Sequence, residues 1–282
     1  MKETRAEYLP ISKLHPFEGH PFKVTDNEEM DQLTWSILTQ GLLTPLVVRP
    51  LDNGEYEVIS GHRRLYACKK AGIEKVPALI TEMDRDAAAI ALVDSNLHRE
   101  KILPSEKAYA YKLKMEALSR QGYRTDLTSR QVVGKLETAD MIADNESGRQ
   151  VQRYIRLTNL IPGILQMVDD SKIALTPAVE PSYLTDTEQA DLLETMESED
   201  CTPSLSQAQQ LKQLSQAGQL DMDKIFNLLR EPKANQQEKI IFRVEELRKF
   251  FPENYSTLRI QETILRMLRD YQRRQMYDRG GR

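Results

Sequence analysis

Apolar residues in the first hundred positions alternate between the spacing of helices and the spacing of strands. A capping-box pattern at Thr25 and Glu28 begins the first predicted helix, and Gly41 is placed to end it. Its apolar face is predicted to consist of Met30, Leu33, Ile37 and Leu38.

Two strands are predicted next, at 46–48 and 56–59, and the turn sequence Asp52-Asn53-Gly54 between them favours a hairpin. The elements that follow are a helix at 62–71, a strand at 76–80 and a helix at 85–95 behind the cap Asp84. The pattern therefore predicts a small α/β domain over residues 1–102.

Beyond Pro104 the pattern is almost wholly helical, so the chain is predicted to be mainly α. A strand at 239–244 and a helix at 260–277 are predicted near the end of the chain. The predicted divisions are an α/β domain at 1–102, an all-α helix-turn-helix domain at 103–200, a helical linker at 201–237 and a small α/β segment at 238–282.

The composition, 40% hydrophobic and 29% charged residues, is typical of a globular protein. The longest apolar run, 87–93, is far shorter than the roughly 20 residues that span a bilayer. Cys68 and Cys201 lie far apart and belong to no CxxC motif, which argues against disulfides and a zinc site. We therefore expect a cytoplasmic protein with no membrane partner.

The net charge of −4 hides a strong segregation of charge. Three arginines and no acid occupy 147–160, whereas 161–200 holds ten acids against one lysine. Basic residues outnumber acidic ones again from 238 to the end, by eleven to seven. This segregation predicts two cationic surfaces on an acidic body, although solvated helix faces can differ by chance.

A candidate anion site lies where the strand at 56–59 runs into Gly61 and a helix begins at His62. Free backbone N–H groups at a helix start attract anions, and glycine permits close approach. Arg63 and Arg64 add two cations in the first turn, which suits a polyphosphate. The alternative is an ordinary strand-to-helix turn whose arginines lie in solvent.

A second polar cluster, at 94–100, lies where a predicted helix ends. Asn96, Arg99 and an acidic residue there could complete a nucleotide and magnesium site, because Mg²⁺ prefers carboxylate and phosphate oxygens. The alternative is a polar helix cap.

The candidate DNA-reading element is an amphipathic helix over 147–160. Val151, Tyr154 and Ile155 share one face, and arginine and glutamine side chains are favoured partners of guanine and adenine in the major groove. A short helix at 139–144 is predicted to precede it as the scanning helix. The predicted DNA contacts are Ser147, Arg149, Gln150, Gln152, Arg153 and Arg156.

Three segments resemble motifs of the ParB partition family, in the right order. Gly61-His62-Arg63-Arg64 resembles GERRxR, 96–100 resembles the later part of ENxQR(E), and 41–49 resembles GxxxPIxVR. This resemblance covers residues 8 to about 120. It continues more weakly to about 185, where 161–162 and 173–183 are similar to the region after the family's recognition helix.

The resemblance implies a ParB/sulfiredoxin-like domain that binds CTP with Mg²⁺ and closes two copies into a clamp sliding on DNA. It also implies a homodimer formed through the C-terminal segment, an ATPase partner of the ParA type, and association with the nucleoid or a plasmid. The implied nucleotide residues are Thr44, Pro45, Gly61, His62, Arg63, Arg64, Ser95, Asn96 and Arg99, with Asn96 near the magnesium.

Three departures from the family motifs leave CTP hydrolysis open. His62 replaces the usual Glu, Tyr66 replaces the third Arg, and Ser95 replaces the Glu before Asn96. Losing that Glu removes a carboxylate expected near the magnesium, and Asp94 is the candidate substitute.

Other functions compete with partition. A transcriptional regulator or a nucleoid-occlusion factor would need the same site-specific DNA binding. A sulfiredoxin-like enzyme would need a reactive cysteine before His62, where Gly61 stands, and Cys68 falls on the packed face of its helix. A nuclease would need convergent carboxylates that the sequence does not group together.

Overall fold

The computed structural model describes residues 4–99, 101–120, 146–231, 247–252 and 254–279. The chain divides into two compact units, 1–231 and 232–282. The predicted scanning helix at 139–144 and the predicted strand at 239–244 lie outside the described residues. Among the described helices, none is both long and apolar enough to cross a bilayer.

A five-stranded mixed sheet forms the N-terminal part of the first unit, with strand order β1-β5-β3-β4-β2. The predicted hairpin is present as an antiparallel pair of β3 and β4. Strand β5 lies parallel to β3 and antiparallel to the edge strand β1, and β2 lies parallel to β4. The strands are β1 (Thr4–Pro10), β2 (Leu14–Pro16), β3 (Leu46–Pro50), β4 (Tyr56–Ser60) and β5 (Lys75–Thr81).

Strands β1 and β2 were not predicted. In β1 only Leu9 is buried, because this edge strand exposes side chains on both faces and so lacks an alternating pattern. Strand β2 spans three residues, too few for a periodic signal.

Three helices pack against this sheet: α1 (Glu28–Gln40), α2 (His62–Lys70) and α3 (Arg85–Leu97). The predicted capping box of α1 is wrong. Its N-cap is Asn27, whose side chain accepts a hydrogen bond from the backbone N–H of Met30 at 3.1 Å, so Glu28 is the first helical residue and cannot occupy the third position that a capping box requires. Gly41 ends α1 as predicted, and Asp84 caps α3.

The remainder of the first unit is helical, with a 3-10 turn at Pro181–Tyr183. Two of the described helices lie in the predicted linker, α9 (Leu205–Gln216) and α10 (Met222–Arg230). They contribute Leu211 and Ile225 to the same core as Leu157, Ile164 and Leu192. The helices are α4 (Pro104–Arg120), α5 (Gly148–Leu157), α6 (Pro162–Asp169), α7 (Leu175–Val179), α8 (Asp186–Ser198), α9 (Leu205–Gln216) and α10 (Met222–Arg230).

The second unit contains the long helix α11 (Thr257–Arg279), close to the helix predicted at 260–277. Ring contacts join Phe251, Tyr255 and Arg259 at its start. The domain boundaries proposed from the sequence remain predictions.

Candidate nucleotide and DNA sites

The turn from β4 into α2 depends on Gly61. Its φ of +105° lies in the left-handed region, and a Cβ on it would lie 2.6 Å from Cδ2 of the buried Leu46. No side chain among the described residues caps α2, so the N–H groups of its first turn stay available to an anion.

Arg64 joins the first turn of α2 to the loop before β3. Its Nη1 donates to the carbonyl oxygens of Thr44 and Pro45, the latter at 3.0 Å. Burial lowers the pKa of Arg64, which remains cationic. The structure thus brings Thr44 and Pro45 close to the turn from β4 into α2 at Gly61, which we call the Gly61 corner. They are held there by the guanidinium of Arg64, which already donates hydrogen bonds to their two carbonyl oxygens.

Arg63 lies in the first turn of α2, and Arg99 follows the C-terminal end of α3, where its guanidinium lies 5.6 Å from the ring centre of Phe22. Burial, followed by the charge of Arg63, lowers the pKa of Arg99. Arg63 Nη2 lies 3.1 Å from Oε2 of the exposed Glu29, a solvated ion pair that a phosphate could replace at little cost. The uncapped helix start and an arginine held only by a solvated pair make this turn receptive to an anion.

Asn96 and Ser95 turn toward their own helix. The buried Asn96 donates from Nδ2 to the carbonyl of Leu92 at 2.7 Å and to Ser95 Oγ at 3.1 Å, and Ser95 Oγ donates to the same carbonyl at 2.9 Å. Both side chains therefore form their hydrogen bonds within the last turns of α3.

The described residues do not fit a protein-held magnesium site. Asp94, the candidate substitute for the missing Glu, has Oδ1 2.6 Å from Nζ of the buried Lys114, so its charge is already compensated. No group of three acidic, histidine or cysteine side chains suited to a metal occurs in the described parts of the chain.

His62 holds the interior of the domain, a role that the sequence did not suggest. The backbone N–H of Phe17 donates to His62 Nε2 at 3.2 Å, and the imidazole stacks on that of His20 with ring centroids 3.7 Å apart. His20 Nδ1 lies 2.7 Å from the carbonyl oxygen of Phe22. The histidine that replaces the family's Glu thus ties the loop after β2 to α2, leaving its backbone N–H at the helix start.

Folding stability should fall below neutral pH because of this pair. Burial, the charge of His20 and the charge of Arg99 lower the pKa of His62 to about 3, from 6.5 for an ordinary histidine. Between these values the unfolded chain binds a proton that the folded chain does not. The free energy of unfolding therefore decreases from about pH 6.5 towards pH 3, by up to about 1.4 kcal/mol per pH unit.

Urea denaturation at pH 7.5 and pH 5.0 measures this slope. His62→Gln should make it shallower, because it removes the buried imidazole whose pKa is lowered. An unaltered slope in the His62 variant would show that this imidazole is not the responsible group.

Tyr66, at the position of the family's third arginine, borders a cavity of about 210 Å³ beside His62. Pro16, Val24 and Leu65 make much of the remaining lining apolar. Lys69, one helical turn after Tyr66, is the cationic side chain that lines this cavity.

The predicted recognition helix exists as α5, and it has two faces. Ser147 caps it by accepting from the backbone N–H of Gln150, and Val151 and Leu157 are fully buried. Arg149 and Arg153 are exposed, while Gln150 and Gln152 are partly buried. Among the arginines of the predicted DNA contacts, Arg149 and Arg153 are therefore the two that are exposed.

Arg156 is used inside the protein. It donates from Nε to Ser182 Oγ and from Nη2 to the Ser182 carbonyl, both at 3.1 Å. Its guanidinium lies 3.8 Å from the ring centre of Tyr183, and Lys212 lies at the same distance from that ring. Arg156 thus anchors the end of α5, although the sequence grouped it with the DNA contacts.

Gln189, which the sequence analysis missed, holds the turn after α5. This buried side chain donates to the carbonyls of Asn159 and Leu184 at 3.0 and 3.1 Å, and its Oε1 accepts from the N–H of Ile161 at 2.8 Å. A glutamine on an ordinary helix carries no sequence signal for such a role.

Comparison with known proteins adds independent information. The model of the ParB N-terminal domain family matches residues 1–97. A nucleoid occlusion protein of Geobacillus thermodenitrificans is 39% identical over 113 residues, which is 39% of this chain and 40% of that protein. The chain therefore matches less than half the length of this relative.

Two solved structures of C-terminally truncated ParB from Caulobacter crescentus also match. The one complexed to the centromeric parS site is 22% identical and covers 73% of this chain and 98% of that one, with a TM-score of 0.43. The one complexed with CTP-gamma-S is 24% identical and covers 68% and 99%, with a TM-score of 0.32.

A probable chromosome-partitioning protein ParB of Vibrio cholerae matches over a much longer part of the chain. The two sequences are 30% identical over 246 residues, which cover 84% of this chain and 82% of that protein. Because this similarity extends through both the sheet domain and the helical region, the chain belongs to the ParB family of chromosome-partitioning proteins.

Proposed function

We propose that this chain is a site-specific DNA-binding partition protein whose N-terminal domain binds CTP at the Gly61 corner. The observation that carries the proposal is the uncapped first turn of α2, in which Arg63 forms only a solvent-exposed ion pair with Glu29, together with Arg99, whose guanidinium lies 5.6 Å from Phe22 in the loop that packs on His62. Free N–H groups and two guanidinium groups together complement a triphosphate better than a single carboxylate. Membership of the ParB family favours CTP among the nucleotides. Magnesium would enter with the triphosphate, and we propose no hydrolytic step.

Isothermal titration of the full chain with CTP, ATP and GTP in magnesium tests the nucleotide proposal. CTP should bind, and Arg63→Ala or Arg99→Ala should each weaken binding by about tenfold or more, since a charge-assisted hydrogen bond contributes roughly 1.5–3 kcal/mol. Arg85→Ala is the matched control, because Arg85 also pairs with an exposed glutamate, Glu18, at 2.8 Å. Absence of heat with all three nucleotides would end the proposal.

DNA binding is assigned to α5, with Arg149 and Arg153 as the base or phosphate contacts. Both are exposed on a helix whose opposite face is buried by Val151. Chromatin immunoprecipitation with sequencing tests whether the protein spreads from its binding site. A peak with flanking spread would favour a loaded sliding clamp, whereas isolated peaks would favour a plain repressor.

A homodimer formed through α11 belongs to the same proposal. The side chains of Leu265, Leu268 and Tyr271 repeat at helical spacing and are each about half exposed or more. A second copy would cover this apolar stripe, and sedimentation equilibrium of wild type and Leu268→Asp would detect the dimer and its loss. A ParA-type ATPase partner remains a prediction, which a neighbouring ATPase gene would favour.

A further inference from the structure

Three consecutive residues in the first turn of α4 contact three different parts of the first unit. Ser105 is bonded to Asp169, the last residue of α6. Its backbone N–H donates to Asp169 Oδ1 at 2.9 Å and its Oγ to Oδ2 at 2.6 Å, with the carboxylate almost fully buried. The start of α4 is therefore capped by the helix that follows the recognition helix.

Glu106 is bonded to the loop of the N-terminal domain that precedes α1. Its Oε1 accepts from the backbone N–H of Lys23 at 2.7 Å, and its Oε2 accepts from that of Leu103 at 3.1 Å. Lys23 also extends its ammonium group to within 3.5 Å of Asp169. This loop is thus attached to both α4 and α6.

The same loop also contacts the Gly61 corner, through His20, three residues before Lys23. The His20 ring stacks on His62, and the Phe22 ring lies 5.6 Å from the guanidinium of Arg99. A ligand that draws Arg99 towards a phosphate must alter its contact with Phe22, which is bonded directly to Lys23.

Lys107 holds Glu146, the residue before the N-cap Ser147 of α5. Its ammonium group forms an ion pair with Glu146, whose other carboxylate oxygen accepts from the Tyr111 hydroxyl at 3.2 Å. The Lys107 ammonium also lies 4.9 Å from the ring centre of Tyr154 on α5. The position of α5 is thus set from the first turn of α4.

We propose that Ser105, Glu106 and Lys107 are positioning residues that couple the Gly61 corner to the recognition helix α5. The connection runs from Arg99 through Phe22 and Lys23 to Glu106, and from Lys107 to Glu146 and α5. This inference rests on the proposed nucleotide function and adds to it the residues that carry the coupling. None of the three contacts nucleotide or DNA in the proposal, so each affinity should survive their replacement while the coupling does not.

The test combines two measurements on the full-length chain. Isothermal titration gives the affinity for CTP with magnesium, and hydrogen exchange of the amides at 148–157 with and without CTP gives the response of α5. In wild type, CTP should change these exchange rates by roughly fivefold or more, the lower end of typical coupling between sites. Lys107→Met should bind CTP within about twofold of wild type with an exchange ratio near one, and Lys107→Arg should restore the response.

The ratio separates coupling from stability, because a variant that only loosens α5 raises exchange equally with and without CTP. Glu199→Gln, which breaks the distant 2.9 Å pair with Arg230, is the control and should respond as wild type does. A full response in Lys107→Met, or CTP binding without any response in wild type, would overturn the inference while leaving the nucleotide proposal intact. Absence of CTP heat in wild type would overturn both.

Discussion

Replacing Arg149 and Arg153 together with alanine is expected to lower specific operator affinity by roughly 10²–10⁴-fold, since each base contact contributes about 1–3 kcal/mol. Both side chains lie exposed on α5, opposite the buried Val151, so their removal opens no cavity in the core. The folded fraction should be unchanged. Binding isotherms on operator and scrambled duplexes, with circular dichroism of the same samples, measure both quantities.

Arg156→Ala is the matched control on the same helix. Because Arg156 is bonded to Ser182 and stacked on Tyr183, its loss should lower the melting temperature and leave the ratio of operator to scrambled affinity near that of wild type. If instead the double variant kept its discrimination and Arg156→Ala lost it, the DNA-reading face of α5 would have to be reassigned.

Gly61→Ala should be severely destabilising and should abolish CTP binding. A non-glycine residue in the left-handed region costs about 1–2 kcal/mol, and forcing a methyl group into packed surroundings adds about 1–3 kcal/mol. Leu46, which the new Cβ would meet at 2.6 Å, is fully buried and has little room to move. A shift of this turn would also displace Arg64, whose guanidinium lies 3.1 Å from the same Cβ position.

Gly54→Ala separates backbone strain from crowding. Gly54 has a φ of +79° in the β3–β4 hairpin, and a Cβ there meets nothing within 4 Å. Urea denaturation should therefore show the strain cost alone at Gly54, with CTP binding retained. Equal losses at both glycines, or normal CTP affinity in Gly61→Ala, would contradict the importance of the close approach to Leu46.

Most regular elements of the N-terminal domain could be predicted because their signals are local. The turn residues at 52–54, the glycines at 41 and 61, and the helical spacing after Asp84 each act within a few residues. The misassigned cap of α1 shows the limit of such signals. Thr25, Asn27 and Glu28 are all acceptable at a helix start, and the path of the folded chain determines that Asn27 is the N-cap.

The amino-acid pattern alone predicts the helices α1 to α3 and the strands β3 to β5 of the sheet domain, the glycine-arginine turn after β4 and the amphipathic character of α5. The role of each polar side chain depends on the packing of the folded chain. Packing places His62 against His20 and pairs Asp94 with Lys114. It also bonds Arg156 to Ser182, stacks Arg156 on Tyr183, and brings Asp169 to the start of α4. These partners lie between 20 and 64 residues apart in sequence. Packing of the core brings them together, and no local pattern encodes that distance.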